Sequence, residues 1–347
     1  MFRIKGRHLV ISFAGLLIAG TAHAQELRIV SWGGAVSDAY RAAMWEPYMK
    51  QSGVKLVEDL YSGEFGKIKS QVEAGNLQWD VADPEWPEVE QGCREGLFEK
   101  IDVSQFDGTD LIKGAISECG VMTILGGTVL AYNNEKISDP PKSWAEFWDV
   151  TKYPGKRGMR RAITETLPMA LMADGVPNGE IYKVLATKEG QDRAFRKLDE
   201  LKPHIVWWTS GTEQIQGLLT GEYDLAMAWN GRITTANKEE GSKLAIAWDA
   251  GQVLNGDRWV ILKGSPNKQQ ALDFMKFALQ PEQQAAFMRL IPYGQVNQKA
   301  YALLSEEEKK DLPTTEAHLK NALLVDPAFF LEHREALTER FEKWVTE

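Results

Sequence analysis

The sequence is short of several things, and each scarcity closes a route. Its five histidines include His204, His318 and His333, which stand far apart and lack the spacing of metal ligands. No Gly-x-Ser-x-Gly elbow, Gly-x-x-x-x-Gly-Lys-Ser/Thr loop or Gly-x-Gly-x-x-Gly fingerprint occurs, so no motif supplies a nucleophile, a phosphate cradle or a dinucleotide site. The reading is therefore not an enzyme, with no cofactor and no metal implied. Past residue 24, no stretch approaches about 20 uninterrupted apolar residues, which argues against a permanent membrane-spanning helix. Basic residues are in deficit, 40 Lys and Arg against 49 Asp and Glu. That balance argues against a nucleic-acid partner and permits a cationic ligand. Internal repeats and low-complexity segments are lacking too.

What is present begins with a leader. Arg3, Lys5 and Arg7 precede an apolar run over residues 9–18 and then Ala22-His23-Ala24, the layout of a secretory signal peptide cleaved after Ala24. Losing those three basic residues takes the formal charge from −9 to −12. The roughly 320 remaining residues suit two domains better than one core. In an oxidising compartment, Cys93 and Cys119 are expected to form one disulfide, closing a loop of about 26 residues and contributing about 3 to 4 kcal/mol. The alternative is two buried free thiols, because the separation of their Cα atoms is not legible in sequence.

Along the chain, apolar strands at residues 27–31, 55–60 and 79–83 alternate with helically spaced segments, the signature of an α/β domain with a largely parallel sheet. Residues 121–133 form an extended apolar run interrupted by Gly126-Gly127, and Asp139-Pro140-Pro141 follows with a Ser143-capped helix. Long helical segments are expected over residues 167–173 and 181–201, and further strands near Met159 and over residues 204–208 and 258–262. The last 50 or so residues look helical, with Phe330, Leu337, Phe341 and Trp344 on one core-facing stripe of the final helix.

The stretch Tyr223-Asp-Leu-Ala-Met-Ala-Trp-Asn-Gly-Arg232 reads as a buried strand running into a polar turn and a helix. In an open α/β sheet, ligands sit beyond the carboxyl ends of strands, so Trp229, Asn230 and Arg232 fall where a small molecule is read. Taken alone, a tryptophan there is ordinary core filling.

Five motifs in order change that reading: Ser31-Trp32-Gly33-Gly34, Trp79-Asp80-Val81, Phe147-Trp148-Asp149 with Pro154-Gly155-Lys156-Arg157-Gly158, Trp229-Asn230-Gly231-Arg232, and Ile291-Pro292-Tyr293-Gly294. Together, over nearly the whole mature chain, they resemble the periplasmic polyamine-binding proteins of ABC importers, the spermidine/putrescine type. The resemblance implies an α/β, two-lobed periplasmic binding protein fold of type II, with two crossing segments and a ligand cleft between the lobes. The crossings fall near residues 133–137 and 249–257. Lobe 1 is then residues 25–133 plus 258–300, and lobe 2 residues 134–257 plus 301–347. The implied partners are a small amine ligand and the membrane permease of an ABC importer, and the protein is expected to be a periplasmic monomer.

The resemblance also carries site residues. Trp32 matches an aromatic along the ligand's methylene chain, and Trp229 the aromatic of the opposite wall. Glu165 matches a carboxylate for one end amine, although the acid usual three residues earlier is Ala162. Asp257 matches a carboxylate for another nitrogen, with Asn255 where an aromatic is usual, and Tyr293 matches a phenol at the rim. Asp83, Glu85 and Trp86 lie at a strand end of the first lobe and can line the pocket too. Each has a plainer reading: Asp257 as a turn cap, Glu165 as a solvated helix-start acid, Tyr293 as a core plug.

A closing cleft strips water from a bound cation, so carboxylates and π faces must replace it. Arg232 complicates that picture, because a guanidinium repels a diamine but suits a carboxylate. With Arg232 at one end and Asp257 at the other, a zwitterionic ω-amino acid such as γ-aminobutyrate matches better than putrescine. Alternatively, Arg232 pairs internally with Glu85 or Asp83. A ferric-ion binder of like architecture wants adjacent tyrosines, and none of the nine adjoins another. A sensor module would use the same cleft and differ in its partner.

Overall fold

A computed structural model describes residues 26–241 and 243–347; the leader expected over residues 1–24 lies outside them. Among the described residues, ten strands form the framework. β1 (Glu26–Ser31) buries Leu27, Ile29 and Val30 and pairs in parallel with β2 (Lys55–Leu60) on one side and with the two-residue β3 (Val81–Ala82) on the other. Between β1 and β2 runs one helical passage, Gly34–Tyr40, a π-helical turn over Arg41–Trp45, then Glu46–Ser52, which stops at Gly53 with φ 74°.

The longest strand, β4 (Val121–Asn133), comes next. It is followed by β5 (Arg157–Arg160), β6 (Ile205–Trp208), β7 (Leu225–Trp229), β8 (Leu244–Ile246), β9 (Gln252–Ile261) and β10 (Ala322–Leu324). Across the sheet the order is β2-β1-β3-β9-β4-β7-β5-β6, with β10 beside β9 and β8 beside β4. β5, β6 and β7 are mutually parallel where they pair, while β4 and β9 form a long antiparallel ribbon from Val121 opposite Trp259 to Val129 opposite Gln252.

That ribbon joins two apolar cores. Val121, Ile124 and Leu125 of β4 and Leu254, Trp259 and Ile261 of β9 belong to the first, with the helices Lys268–Ala278 and Pro281–Leu290 packed around them. Leu130 of β4 and Val253 of β9 belong to the second, with the helices Ile163–Ala173 and Lys188–Leu201 and the last helix Pro327–Thr346. The passage between lobes therefore runs inside two strands. Residues 249–257 are expected to be a connection and 258–262 a separate strand; the structure makes residues 252–261 one strand, because β4 pairs with it from Gln252 to Trp259 and β3 with Val260 and Ile261.

Two further expectations change. The helix read over residues 181–201 breaks into Ile181–Leu185 and Lys188–Leu201, where Thr187 caps the second by accepting from the Gly190 N–H at 3.0 Å. Gly190 is fixed there by crowding, since an added Cβ would lie 1.9 Å from the Val184 carbonyl oxygen. The C-terminal stretch is interrupted by β10, which pairs in parallel with β9. The stripe of Phe330, Leu337, Phe341 and Trp344 is buried in the second core as expected. Cys93 and Cys119 are joined in a disulfide with Cα atoms 5.8 Å apart. Among the described residues, no helix is long and apolar enough to cross a membrane.

Candidate functional site

The ends of β1, β5 and β7 and the middle of the β4/β9 ribbon converge between the two cores. Trp32 follows β1, Trp229 ends β7, and Arg232 sits in the first turn of the helix Asn230–Glu240. Glu85 caps the helix Trp86–Arg94, Glu165 lies in the first turn of Ile163–Ala173, Asp257 projects from β9, and Tyr293 follows the helix Pro281–Leu290. All seven of these sequence-predicted residues line one cavity, together with Val36, Ile124, Gly126, Thr128 and Asn255. The centre of a water molecule can range over about 40 Å³ of it. One water needs roughly 10 to 15 Å³ on that measure, so the space suits a ligand of a few heavy atoms.

At one end stands Arg232. Its Nη2 donates to the carbonyl oxygens of Trp32 at 3.1 Å and Gly33 at 3.0 Å, which ties the second lobe to the first. Two glycines admit it: a Cβ on Gly34 would lie 2.6 Å from Nη1, and one on Gly211 would lie 2.3 Å from Nε. Gly34 also has φ 52°, a conformation that disfavours side chains. Among the described residues no carboxylate comes within ion-pair distance of Arg232, and its buried Nε has no hydrogen-bond partner. The internal pairing with Glu85 or Asp83 considered from sequence is absent. Burial lowers the guanidinium's pKa, and Tyr293 beside it offsets part of that cost.

The other end is acidic. Asp83, Glu85, Glu88, Glu165 and Asp257 gather against two guanidinium groups, Arg160 and Arg334. Arg160, at the end of β5, places Nη1 2.6 Å from Glu85 Oε1 and 2.6 Å from Glu165 Oε1. Arg334 of the last helix reaches Glu88 at 2.7 Å. Among the described residues no cation lies within ion-pair distance of Asp257. Its carboxyl is pushed well above the usual carboxylate range by burial first, then by Asp83 and Glu85, and Arg160 draws it down only in part. Glu165 rises to about 7, again chiefly by burial, and its Oε2 is buried with no hydrogen-bond partner. Burial also takes Asp83 to about 7 against the opposing hydrogen bonds from Thr123 at 2.9 Å and Tyr40 at 3.1 Å.

Trp32 and Trp229 meet edge to face, with centroids 5.9 Å apart. The rings serve the protein's own cations: the Arg160 guanidinium carbon lies 4.9 Å from the Trp229 ring and 5.9 Å from Trp32, and that of Arg232 lies 5.8 Å from Trp229. The indole N–H of Trp32 is buried without an acceptor.

Some residues singled out in sequence take other work. Asn230 does not line the cavity; its amide donates to the Pro292 carbonyl at 2.7 Å and the Asp311 carbonyl at 3.1 Å, and it accepts from the Gly127 N–H at 3.0 Å. Asp83 is held by Tyr40 and Thr123, and Trp86 stacks under Arg258 at 4.9 Å, so neither lines the cavity. Arg160 escaped the sequence reading. The rule that singled out Trp229, a ligand crevice at strand carboxyl ends, applies equally to β5 and its last residue.

Comparison with known proteins gives the family. The family model described as bacterial extracellular solute-binding protein matches residues 43–317. A γ-aminobutyric acid-binding protein of Pseudomonas aeruginosa is 44% identical over 337 residues, 96% of this chain and 95% of that one. Among solved structures, the periplasmic binding protein MotA of A. tumefaciens B6 in complex with glucopine superposes with TM-score 0.88 at 28% identity, covering 92% of this chain and 100% of that one. The structure described as the Atu4243 GABA receptor gives TM-score 0.82 at 32% identity over 92% of this chain and 98% of that one. The resemblance to polyamine binders is weaker: the spermidine/putrescine-binding periplasmic protein of Escherichia coli K12 is 25% identical over 323 residues, 88% of each chain.

Proposed function

We propose, from the premise that this chain belongs to the bacterial extracellular solute-binding proteins and is the periplasmic ligand carrier of an ABC importer, that its ligand is a short ω-amino acid, γ-aminobutyrate foremost. One observation carries the reading. Within one small cavity, a cation without a carboxylate partner, Arg232, faces a desolvated carboxylate without a cation partner, Asp257. A zwitterion completes both. Its carboxylate takes the Arg232 guanidinium in charge-assisted hydrogen bonds, with the Trp32 indole N–H and the Tyr293 hydroxyl available beside it. Its ammonium takes Asp257 and the free Oε2 of Glu165. The short methylene stem lies against Trp229 and Ile124.

A diamine fits this chemistry worse. It leaves Arg232 unanswered and brings a second cation to a site where Arg160 already holds Glu85 and Glu165. The 44% identity to a γ-aminobutyric acid-binding protein, against 25% to the spermidine/putrescine binder, supports the same order.

In the two-state mechanism that follows, ligand binds between open lobes and selects the closed arrangement in proportion to its preferential affinity for it. The contacts that hold the closed form, Arg232 to Trp32 and Gly33, Arg160 to Glu85, and Arg334 to Glu88, all join the two lobes. A lobe division inside the β4/β9 ribbon, between Leu125 and Leu130 and between Val253 and Leu254 rather than at residues 133 and 257, belongs to the same proposal with the ribbon as hinge, as do cleavage after Ala24 and action as a monomer. Calorimetric titration of protein refolded to strip bound ligand tests the assignment. γ-Aminobutyrate is expected to bind at micromolar concentration or tighter and putrescine about 100-fold more weakly; tighter binding of putrescine or spermidine overturns it.

A further inference from the structure

Arg160 stands where a second ligand cation would stand. Its guanidinium occupies the same four groups that the cavity offers to an amine: one oxygen each of Glu85 and Glu165, and the rings of Trp229 and Trp32. It is 6% exposed, so this is a desolvated charge fixed by its partners and not a surface side chain resting in a groove. Burial works against its charge, and Glu165 and Glu85 outweigh that cost.

A second cavity lies on the far side of it. That space is lined by Ser62, Glu88, Thr164, Arg334 and by Arg160 itself, and Glu85 faces both cavities. Thr164 donates to Glu85 Oε2 at 3.4 Å, so Glu85 is held on the same side by a neutral group as well. Glu85, which lines both spaces, and Arg160, which is paired to it, thus stand as a partition between the ligand cavity and the second, polar space.

We propose that Arg160 is a built-in cation occupying the distal-amine position of the cleft, and that it restricts the protein to short ligands with a single amino group. The inference rests on the ω-amino acid reading above and extends it to what the site refuses. Two carboxylates buried side by side need a positive charge. With Arg160 in place, that need is met within the protein when the lobes close, without a second cation from the ligand. What remains free, Asp257 and the Glu165 Oε2, suffices for one ammonium. A second ammonium meets Arg160 in a desolvated setting, where like charges repel strongly. A longer single-amine chain meets the partition as a wall.

The test compares wild type with Arg160→Gln and Arg160→Lys by calorimetry against γ-aminobutyrate, 6-aminohexanoate and putrescine, with thermal melting to establish folding. The neutral Gln variant is expected to gain putrescine affinity by about 30-fold or more relative to γ-aminobutyrate, and the Lys variant, which keeps the charge, is expected to keep excluding the diamine. An unchanged ratio in a folded Gln variant, or an equal gain in the Lys variant, overturns the proposal. If the Gln variant does not fold, the wild-type series decides. 6-Aminohexanoate is expected to bind at least about tenfold more weakly than γ-aminobutyrate, and equal binding removes the partition. Wild type that binds putrescine but not γ-aminobutyrate sinks the ω-amino acid reading itself; wild type that binds γ-aminobutyrate with an unaltered ratio in the variants sinks the role of Arg160 alone.

Discussion

Arg160 and Arg232 both come from the second lobe, both flank Trp229, and both reach across to the first lobe, yet they meet opposite company. Arg160 contacts two carboxylates at 2.6 Å, whereas Arg232 contacts two carbonyl oxygens at 3.0 and 3.1 Å and leaves Nε without a partner. A desolvated charge compensated inside the protein is part of the wall. One that finds only neutral acceptors still lacks its counter-charge, and a ligand can supply it. The same distinction separates Glu85, already paired, from Asp257, which is not. The two unpaired groups therefore define the ligand more sharply than the number of acids in the cleft does.

The largest effect expected from breaking this contrast is at Arg232. Arg232→Met removes the cation but keeps much of the stem, and should weaken γ-aminobutyrate binding by about 10³-fold, in line with truncating one partner of a buried charge pair. Putrescine, which has no carboxylate to lose, should be spared or improved. Titration of both ligands against the variant gives the comparison, and an equal loss for the two would make Arg232 a lobe tie and nothing more.

Next in size is the response to pH. The folded-state pKa values of Asp83 and Glu165 are raised to about 7 from ordinary values of 3.8 and 4.5, and Asp257 moves the same way. The empty folded protein therefore binds more protons than the unfolded chain between about pH 4 and 7. The stability these groups contribute is greatest below the lower values and is lost as pH rises through the raised ones. Bound ammonium reverses the penalty by favouring the ionised form of Asp257 and Glu165. Affinity for γ-aminobutyrate should thus rise about tenfold from pH 5 to pH 7.5, with protons released on binding near pH 6 to 7. Calorimetry in buffers of different ionisation heat measures the release directly. Affinity that falls with pH, or proton uptake, would contradict the placement of the ammonium at the acidic end.

Much of this site was legible in the sequence because strand ends and turn residues announce themselves. The alternation in residues 225–229 marked β7, and the crevice rule pointed at Trp229 and Arg232; the turn expected at Asn230-Gly231 is instead the first turn of the helix Asn230–Glu240, which starts directly at the strand end. Asp257, Glu165 and Tyr293 came from resemblance, since a lone acid in an apolar strand or an acid at a helix start has several ordinary uses. What escaped were partnerships. Arg160 sits in a run of charges, Arg157, Arg160 and Arg161, that looks like a solvated edge. Yet Arg157 donates to the carbonyls of Phe147 and Tyr153, Arg160 is buried on Glu85 and Glu165, and Arg161 pairs at the surface with Glu342. Glu85 and Arg160 are 75 positions apart, and no local pattern states that they touch. The ribbon was missed for a related reason: Leu254-Asn255-Gly256-Asp257 has the composition of a loop, and only pairing to β4 makes it strand.

The smallest effect on binding is expected from the disulfide. Cys93 lies in the last turn of the helix that Glu85 caps, and Cys119 lies just before β4, so the bond ties two elements of the acidic end together. In the chain-entropy account, closing a 26-residue loop contributes about 3.5 kcal/mol to stability. The position of Glu85, however, is fixed locally by a reciprocal cap with Glu88, by its bridge to Asp257 and by Arg160. The Cys93→Ser, Cys119→Ser double variant should accordingly lose about that much stability in denaturant unfolding, while its affinity for γ-aminobutyrate changes by no more than about twofold. A parallel loss of affinity would mean that the acidic end is held by the helix as a whole. The contrast between a compensated and an uncompensated charge would then depend on the stability of the first lobe as well as on the four groups around Arg160.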